Sequence, residues 1–265
     1  MFEIHDQLRR KIALPNYPPK RIISLVPSQT ELLYDLGLEE EVIGITKFCV
    51  HPQNWFRNKT RVGGTKNVDI EKVKALQPDL ILANKEENVK EQIEELEKIA
   101  PVWISDVNDL DDALDMINSI GLITDRNQQS KVISQNIQNQ FQQLQTGNSK
   151  LQTAYLIWRN PYMTIGGDTF INNMLKRCGL WNVFEPQQRY PEINLEQLKE
   201  RNVQLILLSS EPYPFKEKHI EEIRTVLHDA KILMVDGEIF SWYGSRLLYA
   251  AHYFKELMNK INEAQ

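Results

Sequence analysis

Cys49-Val50-His51 sets a thiol and an imidazole two positions apart in a short loop, where both can face one metal ion as soft and borderline ligands. A lone cysteine is also commonly a small buried hydrophobe, so both readings stand. The paired carboxylates Glu86-Glu87 close an apolar run. They can accept hydrogen bonds from a ligand, complete a metal site with Cys49 and His51, or form a solvated turn into an acidic helix. Trp158-Arg159 joins an aromatic to a guanidinium, a pair suited to stacking on a planar ligand and pairing with its carboxylates. Phe240-Ser241-Trp242-Tyr243-Gly244-Ser245-Arg246 offers a similar set. Two adjacent aromatics are not expected to be both buried, so Trp242 is expected to face ligand, with Tyr243 and Arg246 beside it.

Those residues follow apolar runs that read as strands: Arg21–Val26, Val42–Ile45, Leu80–Ala83, Val102–Ile104, Leu151–Trp158, 204–208 and 231–235. Helical patterns lie between them at 69–77, 88–99, 168–177, 194–201, 216–227 and 242–262. Ser28 is expected to cap a short helix that stops at Gly37, and Asp168 to cap another after the Gly166-Gly167 turn. Alternating strands and helices imply parallel sheets flanked by helices, with ligand chemistry in the loops after the strands. Residues 1–20 end in Pro15-Asn16-Tyr17-Pro18-Pro19 and read as an extended lead-in.

Residues 126–147 differ. Ile133, Ile137, Phe141 and Leu144 recur at helical spacing among Gln, Asn, Ser and Lys, which predicts one amphipathic helix about 30 Å long. On either side the chain repeats itself. DIEKVKALQPDLILANKE (69–86) and NLEQLKERNVQLILLSSE (194–211) share Glu71/Glu196, Lys74/Lys199, Leu80/Leu205, Ile81/Ile206, Leu82/Leu207 and Glu86/Glu211. Ile93-Glu94-Glu95-Leu96 is echoed by Ile220-Glu221-Glu222-Ile223. The expected architecture is α/β: two Rossmann-like lobes with central parallel sheets, joined by a single long backbone helix, with a ligand cleft between them. The expected division is a lead-in (1–20), an N-terminal lobe (21–125), the interdomain helix (126–147) and a C-terminal lobe (148–265). A single helical connector should make this a rigid clamp.

The 265 residues are 42% apolar and 25% charged, which fits one large or two modest globular domains and excludes a disordered chain. Mean hydropathy is −0.44, and no apolar run is long enough for a membrane span. A net charge of −5 without a basic cluster gives no footing for nucleic acid. Cys49 and Cys178 cannot make a disulfide framework. The N-terminal residues carry charge but no apolar signal region, so at face value the chain is cytoplasmic; a removed leader would make it periplasmic or surface-anchored. Nucleophile-elbow, Walker A, dinucleotide and H-E-x-x-H motifs are absent from the sequence.

Four ordered segments carry a resemblance: RIISLVPSQTELL (21–33), VGGTKNVDIEKVKALQPDLILA (62–83), TIGGDTFINNMLKRCGLWNVF (164–184) and INLEQLKERNVQLILL (193–208). Together they resemble the helical-backbone (class III) substrate-binding proteins of ABC importers, which take cobalamin, ferric siderophores or haem, and the cobalamin-binding branch looks nearest. The resemblance covers about residues 20–262. It implies that Phe48 stacks on ligand and that the loops holding Trp158 and Trp242 contribute contacts. It also implies that Glu71 and Glu196 pair with arginines of a membrane permease, although a helix-start carboxylate answering the helix dipole explains both without a partner. Cys49 and His51 depart from the family's pattern.

The leading expectation is a monomeric, non-enzymatic binding protein for a small metal chelate. A cobalamin-like ligand comes first, a ferric siderophore or haem second, with no catalytic cofactor and an ABC permease as partner. The alternative is a cytoplasmic chelatase-like enzyme or metal-handling protein using His51, Glu86 and Glu87.

Overall fold

The computed structural model describes residues 2–144 and 151–263. Residues 145–147 of the expected interdomain helix, and residues 148–150 and 264–265 of the expected C-terminal lobe, lie outside them. The described residues group into two compact units. One is drawn from Met1–Val107, Asp111–Gln138 and Trp242–Leu248; the other from Asn108–Leu110, Asn139–Ser241 and Tyr249–Gln265.

The first unit begins with β1 (Phe2–His5) and β2 (Lys11–Leu14) and continues through β3 (Ile22–Ser24), α1 (Pro27–Asp35), β4 (Val42–Ile45), α2 (Gln53–Asn58) and β5 (Thr60–Arg61). Next come α3 (Ile70–Leu76), β6 (Leu80–Asn84), α4 (Lys90–Leu96), β7 (Val102–Ser105), α5 (Leu110–Ile123) and α6 (Asn127–Gln143), whose residues from Asn139 on belong to the second unit. Its sheet is parallel, in the order β5-β4-β3-β6-β7. Ile23, Leu25, Val73, Ile81, Ala83, Ile93, Leu96, Val102 and Ile104 form a core under it. The lead-in is more than an extended arm, because β1 and β2 pair as an antiparallel hairpin. Asp6 ties the turn by accepting from the Leu8 and Arg10 amides at 3.0 and 2.8 Å. Gln7 N then donates to Ile104 O (3.2 Å) and Arg10 Nη2 to Val102 O (3.0 Å). The hairpin thereby blunts the exposed edge of β7.

The second unit holds β8 (Gln152–Leu156), β9 (Tyr162–Met163), α7 (Phe170–Arg177), β10 (Trp181–Asn182), β11 (Glu192–Ile193) and α8 (Leu195–Glu200). It continues with β12 (Leu205–Ser209), α9 (Glu217–Arg224), β13 (Lys231–Val235), α10 (Gly237–Ser241) and α11 (Leu247–Glu263). Its parallel sheet runs β10-β8-β12-β13. Ala154, Leu156, Phe184, Leu198, Ile206, Leu208, Ile220, Ile223 and Ile232 pack around it. All five residues of β12 are buried, as a parallel strand covered on both faces requires.

The repeat in the sequence is a repeat in the fold. Strands β6 and β12 begin at 80 and 205 and end at 84 and 209, so the offset of 125 holds at both ends. Each follows a short helix capped by an Asx side chain: Asp69 accepts from Lys72 N, and Asn194 from Gln197 N within a capping box. The order β4-β3-β6-β7 in one sheet matches β10-β8-β12-β13 in the other.

Several expectations at element ends change. The first helix is capped at Val26 with Pro27 at its first position, not at Ser28. Proline is pre-set for that position and needs no donor there. Thr169 caps α7 by accepting from Asn172 N at 3.2 Å, while Asp168 instead accepts from Arg189 N at 2.6 Å. The last long helix begins at Leu247 rather than 242, after the irregular segment Trp242–Arg246. The helix α6 buries Ile133, Ile137 and Phe141 as its spacing predicts. Helices α2, α5 and α10 match no helix expected from the sequence.

Candidate functional site

Strand order in each unit reverses between two neighbours, β3 and β6 in the first and β8 and β12 in the second. The loops leaving the carboxyl ends near such a reversal are where open parallel sheets hold ligands. In the first unit the loop after β4 is a tight turn, with Cys49 N bonded to Thr46 O and Val50 N to Phe48 O. It presents the Phe48 ring, which is 50% exposed. Lys47 Nζ lies 5.1 Å from the centre of that ring. A Cβ at Gly64 would stand 3.2 Å from Phe48 Cε2, so glycine gives the ring room to lie down.

Cys49 is not available to a ligand. Its side chain is fully buried, and the thiol receives Thr30 Oγ1 at 3.1 Å and shares a hydrogen bond with Thr46 Oγ1 at 3.2 Å. Burial pushes its pKa up to about 11, so the metal-binding thiolate is absent at neutral pH. The expected Cys49–His51 metal pair therefore fails at its thiol, which points into the core. His51 packs against Trp242 at 5.6 Å and 68°. Among the described residues no three His, Cys, Asp or Glu side chains gather to hold a metal ion.

After β6, Asn84 Oδ1 accepts from the amides of Glu86 (2.8 Å) and Glu87 (3.0 Å) and shapes the turn. Tyr243 donates its hydroxyl to Glu87 Oε1 at 2.8 Å. Arg246 makes a two-point ion pair with Glu31 and lies 4.7 Å over the Trp242 ring. Desolvation raises the Glu31 pKa, and the guanidinium opposes it. Trp242 and Tyr243 are 6% and 7% exposed. The expectation that two adjacent aromatics would not both be buried is thus corrected. Consecutive side chains are both buried where a segment is covered on more than one side, as in β12. Trp242, Tyr243 and Arg246 anchor this segment instead of presenting a surface.

In the second unit the loop after β8 exposes Trp158, 39% accessible. Its ring meets Tyr213 edge-on at 5.6 Å, and Tyr213 meets Phe215 edge-on at 4.9 Å. Tyr213 sits in the loop after β12, directly across the strand reversal from Trp158, and sequence reasoning passed over it. The signal was Pro212-Tyr213-Pro214 just past a buried strand. His219 braces this cluster: its Nδ1 accepts from Lys216 N at 2.8 Å, and burial lowers its pKa. Arg159 is already paired, with Nη2 2.7 Å from Glu222 Oε2. A cavity of about 790 Å³ lies at the opposite, amino ends of the second unit's strands, bordered by Glu196, Lys199, Gln204, His228 and Lys231. The carboxyl-end aromatics are the better candidate, because that is where this sheet type holds ligands. Glu71 and Glu196 are both exposed in the first turns of α3 and α8, at matching positions of the repeat.

The periplasmic binding protein family matches residues 22–227. This chain belongs to that family. It is 26% identical over 245 residues to a vitamin B12-binding protein of Pectobacterium atrosepticum, covering 88% of this chain and 86% of that one. Among solved structures it resembles the periplasmic vitamin B12 binding protein BtuF of Vibrio cholerae with a TM-score of 0.79 at 21% identity, covering 94% and 99% of the two chains. A possible iron-binding periplasmic solute-binding protein of Staphylococcus epidermidis aligns with a TM-score of 0.75 at 26% identity, covering 92% and 99%. These family members are binding proteins with the two-unit α/β fold described above. Among the described residues, no helix is long and apolar enough to cross a membrane.

Proposed function

We propose that this chain binds a metal chelate as the substrate-binding component of an ABC importer, with a corrinoid of the cobalamin type as the leading ligand. Ferric siderophores and haem rank behind it. The observation that carries this reading is the pair of exposed aromatic platforms at carboxyl strand ends, Phe48 in one unit and Trp158 with Tyr213 in the other. Stacking faces of this kind suit flat, bulky ligands. The naming of relatives as vitamin B12-binding and iron-binding proteins supports the same ligand class.

Glu71 and Glu196 are the proposed contacts to a permease, one in each half of the repeat, each exposed at a helix start. The ligand is cargo, so no catalytic cofactor is needed. The relatives' periplasmic naming supports a place outside the cytoplasmic membrane and gives no support to the cytoplasmic expectation. The deciding experiment mixes purified protein with cyanocobalamin, hemin and a ferric siderophore panel and follows tryptophan quenching and visible bands. Saturable binding of one intact chelate at 1:1 is the expected result, and no binding by any of them would overturn the reading.

A further inference from the structure

Arg159 is the group in the second unit best suited to receive a ligand carboxylate, since it directly follows the exposed Trp158. It is already engaged. Its Nη2 lies 2.7 Å from Glu222 Oε2, and Tyr162 donates its hydroxyl to Glu222 Oε1 at 3.0 Å. Three elements meet there: the loop after β8, the strand β9 and the helix α9. Arg159, first, and Tyr162 hold the Glu222 carboxyl below its ordinary pKa, so it stays ionised at neutral pH. The repeat makes the arrangement specific to this half. Glu95, the counterpart of Glu222 in the first unit, pairs with Lys98 three residues along its own helix, a generic surface contact.

We propose that Glu222 is a specificity-determining residue. By neutralising Arg159 beside the Trp158 platform, it selects a flat chelate with an uncharged, amide-bearing periphery and disfavours one that carries carboxylates. The inference rests on the reading of Trp158 and Tyr213 as a ligand platform. A propionate arriving at this face meets a closed ion pair instead of an open cation. It loses its hydration without gaining a full counter-charge, which is the unfavourable half of burying an ion. An amide asks only for hydrogen bonds and escapes that cost.

The test uses the full chain and two probes, cyanocobalamin with its amide rim and hemin with its two propionates. Binding of each is measured by tryptophan quenching for the wild type and for Glu222→Gln. The variant keeps the side chain's shape and removes its charge. The hemin-to-cyanocobalamin affinity ratio should rise about tenfold, equivalent to about 1.4 kcal/mol. An unchanged ratio in a variant with native melting behaviour would overturn the proposal.

A second measurement needs no chelate. Phenylglyoxal modification, mapped by mass spectrometry, should reach Arg159 about tenfold more slowly than the exposed Arg57 in the wild type, because a paired guanidinium is held and shielded. In Glu222→Gln the two rates should converge. Equal rates in the wild type would sink the masking on their own, including where the variant does not fold. Should neither probe bind the wild type, the functional reading falls, and the modification rates still decide whether Glu222 masks Arg159.

Discussion

Arg246 grips Glu31 with two parallel hydrogen bonds, Nε to Oε2 at 2.9 Å and Nη2 to Oε1 at 2.7 Å, across 215 positions of sequence. Both side chains are largely buried, so neither charge has water to fall back on. Glu31→Ala should lower stability by about 3 kcal/mol, and Glu31→Ala with Arg246→Ala should cost less than the two single changes added together. Denaturant melts of the four-member cycle check this; strict additivity would mean the pair carries no coupling.

Gly244 is the point of closest packing in the same segment. A Cβ there would collide with the Ser28 carbonyl oxygen, which is backbone and cannot swing away. Gly244→Ala should therefore destabilise by about 2 kcal/mol through overpacking. A thermal melt matching the wild type would show that the loop can retreat at no cost.

Cys49 and Cys178 should both resist thiol reagents in the folded protein, since burial raises both pKa values and removes the thiolate. Ellman's reagent at pH 8 should titrate neither thiol until urea unfolds the chain. Rapid reaction of Cys49 in the native state would return it to the ligand surface and restore the metal-site reading.

Acid should loosen the second unit's aromatic cluster. His219 accepts a hydrogen bond at Nδ1 from Lys216 N, which only the neutral ring can do. Desolvation is the main cause of its lowered pKa, with Lys218, Arg159 and Lys216 adding repulsion and Glu222 opposing. The unfolded chain therefore takes up the proton first. The contribution is complete above the unfolded value of about 6.5 and drains away as pH falls below it. Melting temperatures at pH 7.5 and 5.5 should differ more for the wild type than for His219→Gln, by an amount matching about 1 kcal/mol of lost helix cap. Equal pH dependence in the two would rule His219 out as the source.

Phe48, Trp158 and Tyr213 make a sharper test of the proposed platforms. Truncating each to Ala should weaken cyanocobalamin binding about tenfold, as for a stacking contact worth about 1.4 kcal/mol. The melting temperature should barely move for Phe48, whose ring is half exposed. Binding that survives all three changes would place the ligand elsewhere.

Much of the frame was legible because strands buried on both faces leave long apolar runs, and a duplicated unit leaves its spacing. Val42–Ile45 and 231–235 fell where their runs predict, and the offset of 125 survived intact. The site was less legible. Whether Cys49 points outward depends on Thr30 and Thr46 closing over it, a tertiary fact with no local signature. The burial of Trp242 and Tyr243 arises because Trp242–Leu248 belongs with residues hundreds of positions earlier. Arg159 looked open because Glu222, its partner, stands 63 residues away on another element.

The return of Trp242–Leu248 to the first unit bears on how this polypeptide matures during synthesis. The piece that completes the first unit follows Asn139–Ser241 of the second unit in chain order. A ribosome that has reached Ser241 still lacks Trp242–Leu248 of the first unit, with Glu31 awaiting its counter-ion. Truncation before Trp242 should accordingly damage the half that is translated first.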